Sequence, residues 1–205
     1  MPFALPKIYP ITDVSISKLS HVEQFKRLVE GGATFVQLRE KNASPREFYE
    51  SAREVLALAE GRNVRIIIND RADIAFALKT GVHLGQDDLP PRAARKLLGN
   101  NAIIGFSTHS VEQAIEAVKL PVDYIAIGPV FATKTKENPE QTVGLEGVER
   151  VREAVGDFPL VAIGGITLEN AADVFGAGAG CVAVIGDLAG EPDRIAEKMK
   201  RFLRL

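Results

Sequence analysis

The apolar positions of the chain alternate between two spacings from one end to the other. Short runs rich in β-branched residues are typical of strands buried on both faces of a parallel sheet. The segments between them carry apolar residues at every third or fourth position, as amphipathic helices do. This pattern predicts strands at 8–12, 35–39, 65–69, 82–84, 102–106, 124–127, 160–163 and 181–185. The clearest predicted helices cover 45–59, 111–118, 147–155 and 192–203.

Signals at the helix ends agree with these boundaries and lead to a fold class. Ser44 precedes Pro45, and Glu47 completes the spacing of a capping box. Ser110 stands in the same relation to Gln113.

Strands that alternate with helices predict a parallel sheet, and eight of them favour a single compact (β/α)8 TIM barrel. The alternative is an open Rossmann-like sheet, but no Gly-x-Gly-x-x-Gly motif follows the first strand.

Composition narrows the class of protein. The 205 residues include 25 basic and 27 acidic side chains, a net charge of −2, with 46% hydrophobic and 25% charged residues. This near-neutral balance gives none of the basic surface expected of a nucleic-acid-binding protein. The values are those of an ordinary folded domain, so the sequence predicts one domain over residues 1–205 and no nucleic-acid partner.

Targeting and cysteine signals are absent from the sequence. No apolar run approaches the roughly 18 residues that a membrane span needs, and no basic head followed by an apolar stretch predicts a secretion signal. Cys181 is the single cysteine, so neither an internal disulfide nor a cysteine metal cluster is expected. We expect a soluble cytoplasmic protein that has no membrane partner.

Positively charged residues follow the second predicted strand. In a parallel barrel the functional groups collect where the strands end. Arg39 and Lys41 are two residues apart, so both side chains point to the same side of an extended segment. A guanidinium and an ammonium suit a polyanion such as a diphosphate. A solvated charge cluster without a ligand is the alternative interpretation.

Two aspartates follow the neighbouring third and fourth strands. Asp70 and Asp88 can face each other across the barrel mouth, and two carboxylates with room for phosphate oxygens suit Mg²⁺. The alternative is that Asp70 caps the helix that starts near Ala72. In the same way, Asp87 and Asp88 would cap the helix that starts around Pro91.

Glycines follow the seventh and eighth strands, where barrel enzymes often bind phosphate through loop amides. Gly164, Gly165 and Gly186 let the backbone approach an anion closely, although ordinary turns use glycine equally well. The loop 133–144 after the sixth strand is long enough to be a lid or a binding loop. A mobile loop without a function is the alternative.

The three histidines differ in position. His21 begins a helix and is expected to meet only solvent, whereas His83 lies within a strand and is expected to be a hydrogen-bonded structural residue. His109 ends a strand and is the candidate for proton transfer. Cys181 is expected to be a small buried residue. No Ser-His-Asp order and no metal-binding histidine pair appears.

Six strings together resemble the thiamine-phosphate synthase family, in order and over essentially the whole chain. They are QLREK at 37–41, NDR at 69–71, GVHLGQDDL at 81–89, STH at 107–109, GPVFATKTK at 128–136 and AIGGI at 162–166. The resemblance implies a transferase of thiamine biosynthesis that joins a pyrimidine diphosphate to a thiazole phosphate, with Mg²⁺ as cofactor. The family is often homodimeric, so a homodimer is one expected assembly.

The resemblance also implies the role of individual residues. The pyrimidine diphosphate would be bound by Gln37, Leu38, Arg39, Glu40, Lys41, Asn69, Ser107 and Lys136. The thiazole phosphate would be bound by Thr133, Lys134, Thr135, Gly165, Ile185 and Gly186. Asp70 and Asp88 would bind Mg²⁺. Arg39, Lys41 and Lys136 would act in catalysis by neutralising the leaving diphosphate. Gly186 departs from many relatives, where a serine is frequent.

Three other functions compete with this reading. A thiazole tautomerase of the same superfamily uses a histidine at the position of His109, but that branch typically lacks the diphosphate-binding lysine and the metal-binding aspartates. A barrel that only binds a thiamine-related phosphate would not need the metal pair and the leaving-group cations. An aldolase-type barrel would need a lysine within a strand, and no predicted strand contains one.

Overall fold

Eight parallel strands close into a barrel in the computed structural model, which describes residues 4–133 and 141–205. Each strand pairs in parallel with the next along the chain, and the last pairs with the first. The (β/α)8 prediction is therefore confirmed. The strands are β1 (Ile8–Asp13), β2 (Phe35–Arg39), β3 (Arg65–Asn69), β4 (Gly81–Leu84), β5 (Ile104–Thr108), β6 (Tyr124–Ile127), β7 (Leu160–Ile163) and β8 (Cys181–Val184).

Helices follow the strands and cover the outside of the barrel. They are α1 (Val14–Ser17), α2 (His21–Glu30), α3 (Pro45–Ala59), α4 (Ala72–Leu78), α5 (Pro91–Leu98), α6 (Val111–Ala117), α7 (Gly144–Val155), α8 (Ala171–Gly176), α9 (Gly186–Ala189) and α10 (Ile195–Phe202). A short 3-10 helix, Pro192–Arg194, precedes α10. None of the described helices is both long and apolar enough to span a membrane.

Alternation of side chains along each strand divides the core into two layers. Outward-facing residues such as Val36, Leu38 and Ile68 pack against the helices. Inward-facing residues fill the interior of the barrel, and they include Tyr9, Phe35, Ile67, Tyr124, Val161 and Cys181. The expected burial of Cys181 is confirmed. Because these side chains fill the interior of the barrel, a ligand can bind only at an end of the barrel, and parallel barrels bind it at the carboxyl ends of the strands.

Several helix starts have the predicted caps. The Ser44 hydroxyl accepts from the Glu47 amide at 3.3 Å, and the Glu47 carboxylate accepts from the Ser44 amide at 2.8 Å. The Ser110 hydroxyl likewise accepts from the amide of Gln113. Such caps satisfy amides that have no partner within the helix.

Some predicted boundaries and one environment are wrong. β5 spans Ile104–Thr108 rather than 102–106, because Thr108 is buried and donates to the Ala126 carbonyl instead of beginning a loop. α7 begins at Gly144, and the last helix begins at Ile195 after the 3-10 helix. His21 does not meet solvent, since its Nδ1 lies 2.7 Å from the Thr12 hydroxyl and the residue is buried.

Candidate active site

A cavity of about 910 Å³ opens at the carboxyl ends of the strands. Side chains or backbone of all eight strands, or of the loops that follow them, line it. Its deepest residues come from inside the barrel, among them Tyr9, Ala126 and Val161. A site at this position can combine groups from distant parts of the chain, as barrel enzymes generally do.

The segment after β2 contributes alternate side chains to the cavity. Gln37, Arg39 and Lys41 line it, as the spacing of the strand predicts. The other two residues that the resemblance implicated do not line it: Leu38 is buried between the strands and the helices, and the Glu40 side chain lies outside. The cavity therefore does not receive the side chains of Leu38 and Glu40.

Glu40 instead organises the turn that carries Lys41. One carboxylate oxygen accepts from the amides of Asn42 at 2.8 Å and Ala43 at 3.2 Å. The other oxygen lies 3.5 Å from Nε2 of the buried His21. Burial lowers the pKa of His21, and the nearby Glu40 opposes that effect. The contacts of Glu40 thus fix the backbone of the turn that carries Lys41, on the side that faces away from the cavity.

Arg39 is held by a residue that the sequence analysis missed. The Arg39 guanidinium donates to Oδ2 of the buried Asp13 at the end of β1. The other oxygen of Asp13 accepts from the Ser15 hydroxyl at 2.5 Å and from the Ile16 amide at 3.2 Å. An acidic residue at a strand end just before a short helix is a signal that could have identified it. Asp13 orients the guanidinium towards the cavity.

The two candidate metal ligands meet at the barrel mouth. Lys41 Nζ donates to Asp70 Oδ2, and Asp88 Oδ2 accepts from the Gly85 amide at 2.6 Å. Partial burial raises the pKa of Asp88, and the negative charge of Asp70 adds to this rise. A cation between the two carboxylates would offset the repulsion that Asp70 exerts on the charged form of Asp88.

The alternative role for these aspartates in helix capping is wrong. Arg71 occupies the N-cap position of α4, and Pro90 occupies that of α5. Neither helix start has a capping hydrogen bond from a side chain. Asp70 has a positive φ of 61°, a backbone conformation that aspartate tolerates better than most residues. Asp70 and Asp88 are therefore available for another purpose.

The donor set of this pair fits Mg²⁺. Among the described residues no group of three or more His, Cys, Asp or Glu side chains comes together to hold a metal. Mg²⁺ is usually held by one or two carboxylates and completes its shell with water and substrate phosphate. Asp70 and Asp88 match that requirement, with Lys41 beside them as the neighbouring positive charge.

Three polar residues line the cavity around this pair. Asn69 is buried, and its Nδ2 has no hydrogen-bond partner in the described part of the chain. Ser107 Oγ lies 2.9 Å from His83 Nε2, so the hydrogen bonding expected of His83 is confirmed. His109 Nδ1 lies 2.6 Å from the Gly128 carbonyl. A carbonyl only accepts, so Nδ1 carries a proton and donates it to Gly128, and Nε2 is the ring nitrogen left for other contacts.

Residues expected to bind the thiazole phosphate lie together on the opposite side of the mouth. Thr133, Gly165, Ile185 and Gly186 all line the cavity. Gly165 has a φ of 65°, and a Cβ there would lie 2.7 Å from the Ala132 carbonyl oxygen, so only glycine fits between the two loops. Lys134, Thr135 and Lys136 lie outside the described residues.

A buried lysine anchors the short helix α9, which begins at Gly186. Lys198 on α10 donates to the Asp187 carbonyl at 2.8 Å and to the Asp187 carboxylate at 2.9 Å. It also donates to Glu191 at 2.5 Å. These contacts hold α9 against α10, so the backbone of Gly186 has a fixed position at the cavity.

Comparison with known proteins agrees with this arrangement. The family model described as thiamine monophosphate synthase matches residues 8–188. A thiamine-phosphate synthase of Koribacter versatilis is 46% identical over 207 residues, covering 97% of this chain and 96% of the relative. One of Chloroflexus aurantiacus is 43% identical, covering 91% of this chain and 87% of the relative.

A solved structure gives the same result. The thiamine phosphate pyrophosphorylase from Pyrococcus furiosus superposes with a TM-score of 0.87 at 37% identity. The alignment covers 97% of this chain and 94% of that one. With the family match spanning nearly the whole barrel, the chain belongs to the thiamine monophosphate synthase family.

Proposed function

We propose that the protein is a transferase that joins 4-amino-2-methyl-5-(diphosphooxymethyl)pyrimidine to a thiazole phosphate, with or without a carboxylate on the thiazole. The products are thiamine phosphate and diphosphate, and a carboxylated thiazole would also release its carboxylate as CO2. The observation that carries the proposal is the grouping of Arg39, Lys41, Asp70 and Asp88 at one side of the cavity. On the other side, the glycine-rich loops at Gly165 and Gly186 suit the second phosphate.

The reaction breaks the bond between the pyrimidine methylene carbon and the diphosphate oxygen. That bond's electron pair leaves with diphosphate, and the thiazole nitrogen then supplies the pair for the new carbon–nitrogen bond. Arg39 and Lys41, with Lys136 by resemblance, neutralise the charge that develops on the departing diphosphate. Asp70 and Asp88 would hold Mg²⁺, which supplies further neutralisation of that charge. Apolar residues such as Ala126 and Val161 exclude water from the reacting carbon.

The proposal is tested by mixing the protein with Mg²⁺ and both substrates and oxidising the thiamine phosphate formed to fluorescent thiochrome. We expect product at a rate proportional to the protein concentration. The absence of product would contradict the proposal. If the thiazole is nevertheless isomerised, the tautomerase alternative is correct, with His109 Nε2 as its base. An aldolase is disfavoured because none of the eight described strands contains a lysine.

Replacing either leaving-group lysine should affect turnover far more than binding of the second substrate. Lys41→Met and Lys136→Ala are each expected to lower kcat about a hundredfold, since each removes a positive charge from the departing diphosphate. KM for the thiazole phosphate should stay within about threefold, since neither Lys41 nor Lys136 is among the residues expected to bind that phosphate. Steady-state kinetics measure both. Lys119→Met in the turn after α6, whose side chain is exposed, is the matched control; an unchanged kcat in either lysine variant removes that lysine from the mechanism.

The assembly and the location of the protein belong to the same proposal. We expect small-molecule substrates only, a homodimer, and a cytoplasmic location. Exposed apolar side chains such as Phe76 on α4 and Leu97 on α5 are compatible with an interface between copies. Light scattering coupled to gel filtration measures the mass, and a monomer over the whole concentration range would contradict the dimer.

A further inference from the structure

A buried chain of four hydrogen bonds crosses the interior of the barrel below the cavity. Gln37 Nε2 donates to the Tyr9 hydroxyl at 2.7 Å, and the Tyr9 and Tyr124 hydroxyls are 3.0 Å apart. The Tyr124 hydroxyl lies 3.0 Å from His83 Nδ1, and His83 Nε2 lies 2.9 Å from Ser107 Oγ. We call these five residues the relay. Its two ends, on β2 and β5, are both residues that line the cavity.

The middle of the relay lies in the buried interior of the barrel. Tyr9 and Tyr124 are fully buried, and burial raises the pKa of both phenols, so each keeps its single hydrogen. The Tyr124 ring stacks on His83 with centroids 5.6 Å apart, and Tyr9 meets Tyr124 edge-on at 6.0 Å. The oxygen and nitrogen atoms of the relay therefore have fixed positions, and only the placement of the hydrogens remains to be assigned.

The hydrogen bond from Gln37 determines which atom is the donor in each of the other hydrogen bonds of the relay. An amide nitrogen only donates, so Tyr9 accepts from Gln37, and among the described residues the Tyr124 hydroxyl is the acceptor within reach of the Tyr9 hydrogen. Tyr124 in turn donates to His83 Nδ1, which leaves the imidazole proton on Nε2. That proton is donated to Ser107 Oγ, so the Ser107 hydroxyl keeps its own hydrogen for the cavity. The opposite tautomer of His83 would leave the hydrogen of at least one buried tyrosine without an acceptor.

We propose that the relay fixes the hydrogen-bonding pattern of the cavity floor, with the Gln37 carbonyl oxygen as acceptor and the Ser107 hydroxyl as donor. Tyr9, Tyr124 and His83 are then positioning residues that select a heterocycle with an amino donor beside a ring-nitrogen acceptor. The inference rests on the proposed function, because the aminopyrimidine has this pattern. The corresponding 4-oxo pyrimidine presents the reverse pattern, an acceptor beside a ring N–H donor.

A fixed pattern discriminates more strongly than an adaptable one. A wrong ligand leaves buried polar groups without partners, and that penalty exceeds the gain from one correct hydrogen bond. In the wild-type protein we expect the aminopyrimidine diphosphate to bind about a hundredfold more tightly than its 4-oxo analogue. If Gln37 or Ser107 could reorient freely, the site would adapt to either ligand and most of this difference would disappear.

The binding test removes one phenol oxygen and keeps the ring. Calorimetry with the two diphosphates measures the ratio of their dissociation constants. In Tyr9→Phe and in Tyr124→Phe, this ratio should be at least tenfold smaller than in the wild type. Tyr49→Phe makes the same chemical change at a tyrosine of α3 outside the relay, and it should discriminate as the wild type does. Should Tyr124→Phe fail to fold, Tyr9→Phe carries the same test. Undiminished discrimination in a folded relay variant overturns the proposal.

A spectroscopic test needs neither substrate nor turnover. Nitrogen-15 NMR of the His83 ring should show the proton on Nε2 in the wild type and in Tyr49→Phe, and a changed tautomer distribution in Tyr124→Phe. A proton on Nδ1 in the wild type overturns the relay. Wild-type protein that discriminates between the two ligands but forms no thiamine phosphate overturns only the proposed function, so the two failures are distinguishable.

Discussion

Asp70→Asn is expected to lower kcat about a hundredfold at saturating Mg²⁺, because it removes one of the two carboxylates proposed to hold the metal. Asparagine has the same shape as aspartate, and it also tolerates the positive φ of 61° at this position. The backbone after β3 should therefore be preserved. The expected loss comes from charge and not from a distorted loop.

Two measurements separate a metal role from a general electrostatic one. Binding of Mn²⁺, followed by electron paramagnetic resonance, should weaken at least tenfold in Asp70→Asn. Asp73→Asn is the matched control, since Asp73 lies on α4, is exposed, and pairs with Arg71; it should keep kcat within about twofold. Full activity of the wild-type protein in excess chelator would contradict the metal assignment for both Asp70 and Asp88.

The barrel and the group at its mouth could be predicted because both follow from local spacing. Apolar runs alternating with helical periodicity are sufficient for eight parallel strands. The period of two in a strand places Gln37, Arg39 and Lys41 on one side, and it also explains why Leu38 and Glu40 do not line the cavity. The QLREK string that supports the family resemblance is continuous in the sequence, whereas only alternate side chains of that string line the cavity.

The contacts that hold these groups could not be predicted, because they join distant parts of the chain. Tyr9 and Tyr124 are 115 residues apart, and in the sequence each is only a large residue within an apolar strand. A buried phenol needs a hydrogen-bond partner, which is the signal that could have drawn attention to them. His21 was expected in solvent because a helix start is usually exposed, but α2 packs it against Phe48 and beside Thr12.

The space for Tyr124 comes from the absence of a side chain at Gly105 on β5. A Cβ at Gly105 would lie 2.0 Å from Cζ of Tyr124 and 2.3 Å from its hydroxyl oxygen. The Tyr124 ring is fully buried and in contact with Tyr9 and His83, so a shift of the ring would disturb its neighbours. Gly105→Ala should therefore lower the free energy of unfolding by about 3 kcal/mol, the upper part of the usual range for overpacked cores. Urea unfolding at equilibrium measures the loss.

A double-mutant cycle shows whether the phenol is the cause of that loss. Tyr124→Leu removes the atoms that a Cβ at Gly105 would meet, so in that background Gly105→Ala should cost less than about 1 kcal/mol. Gly176→Ala is the control: no atom lies within 4 Å of the added Cβ at this helix end, and its effect should be near zero or stabilising. Equal penalties in both backgrounds would mean that strain in β5, and not Tyr124, demands the glycine. A reduced penalty would instead mean that the phenol of Tyr124, a member of the relay, demands the glycine in β5.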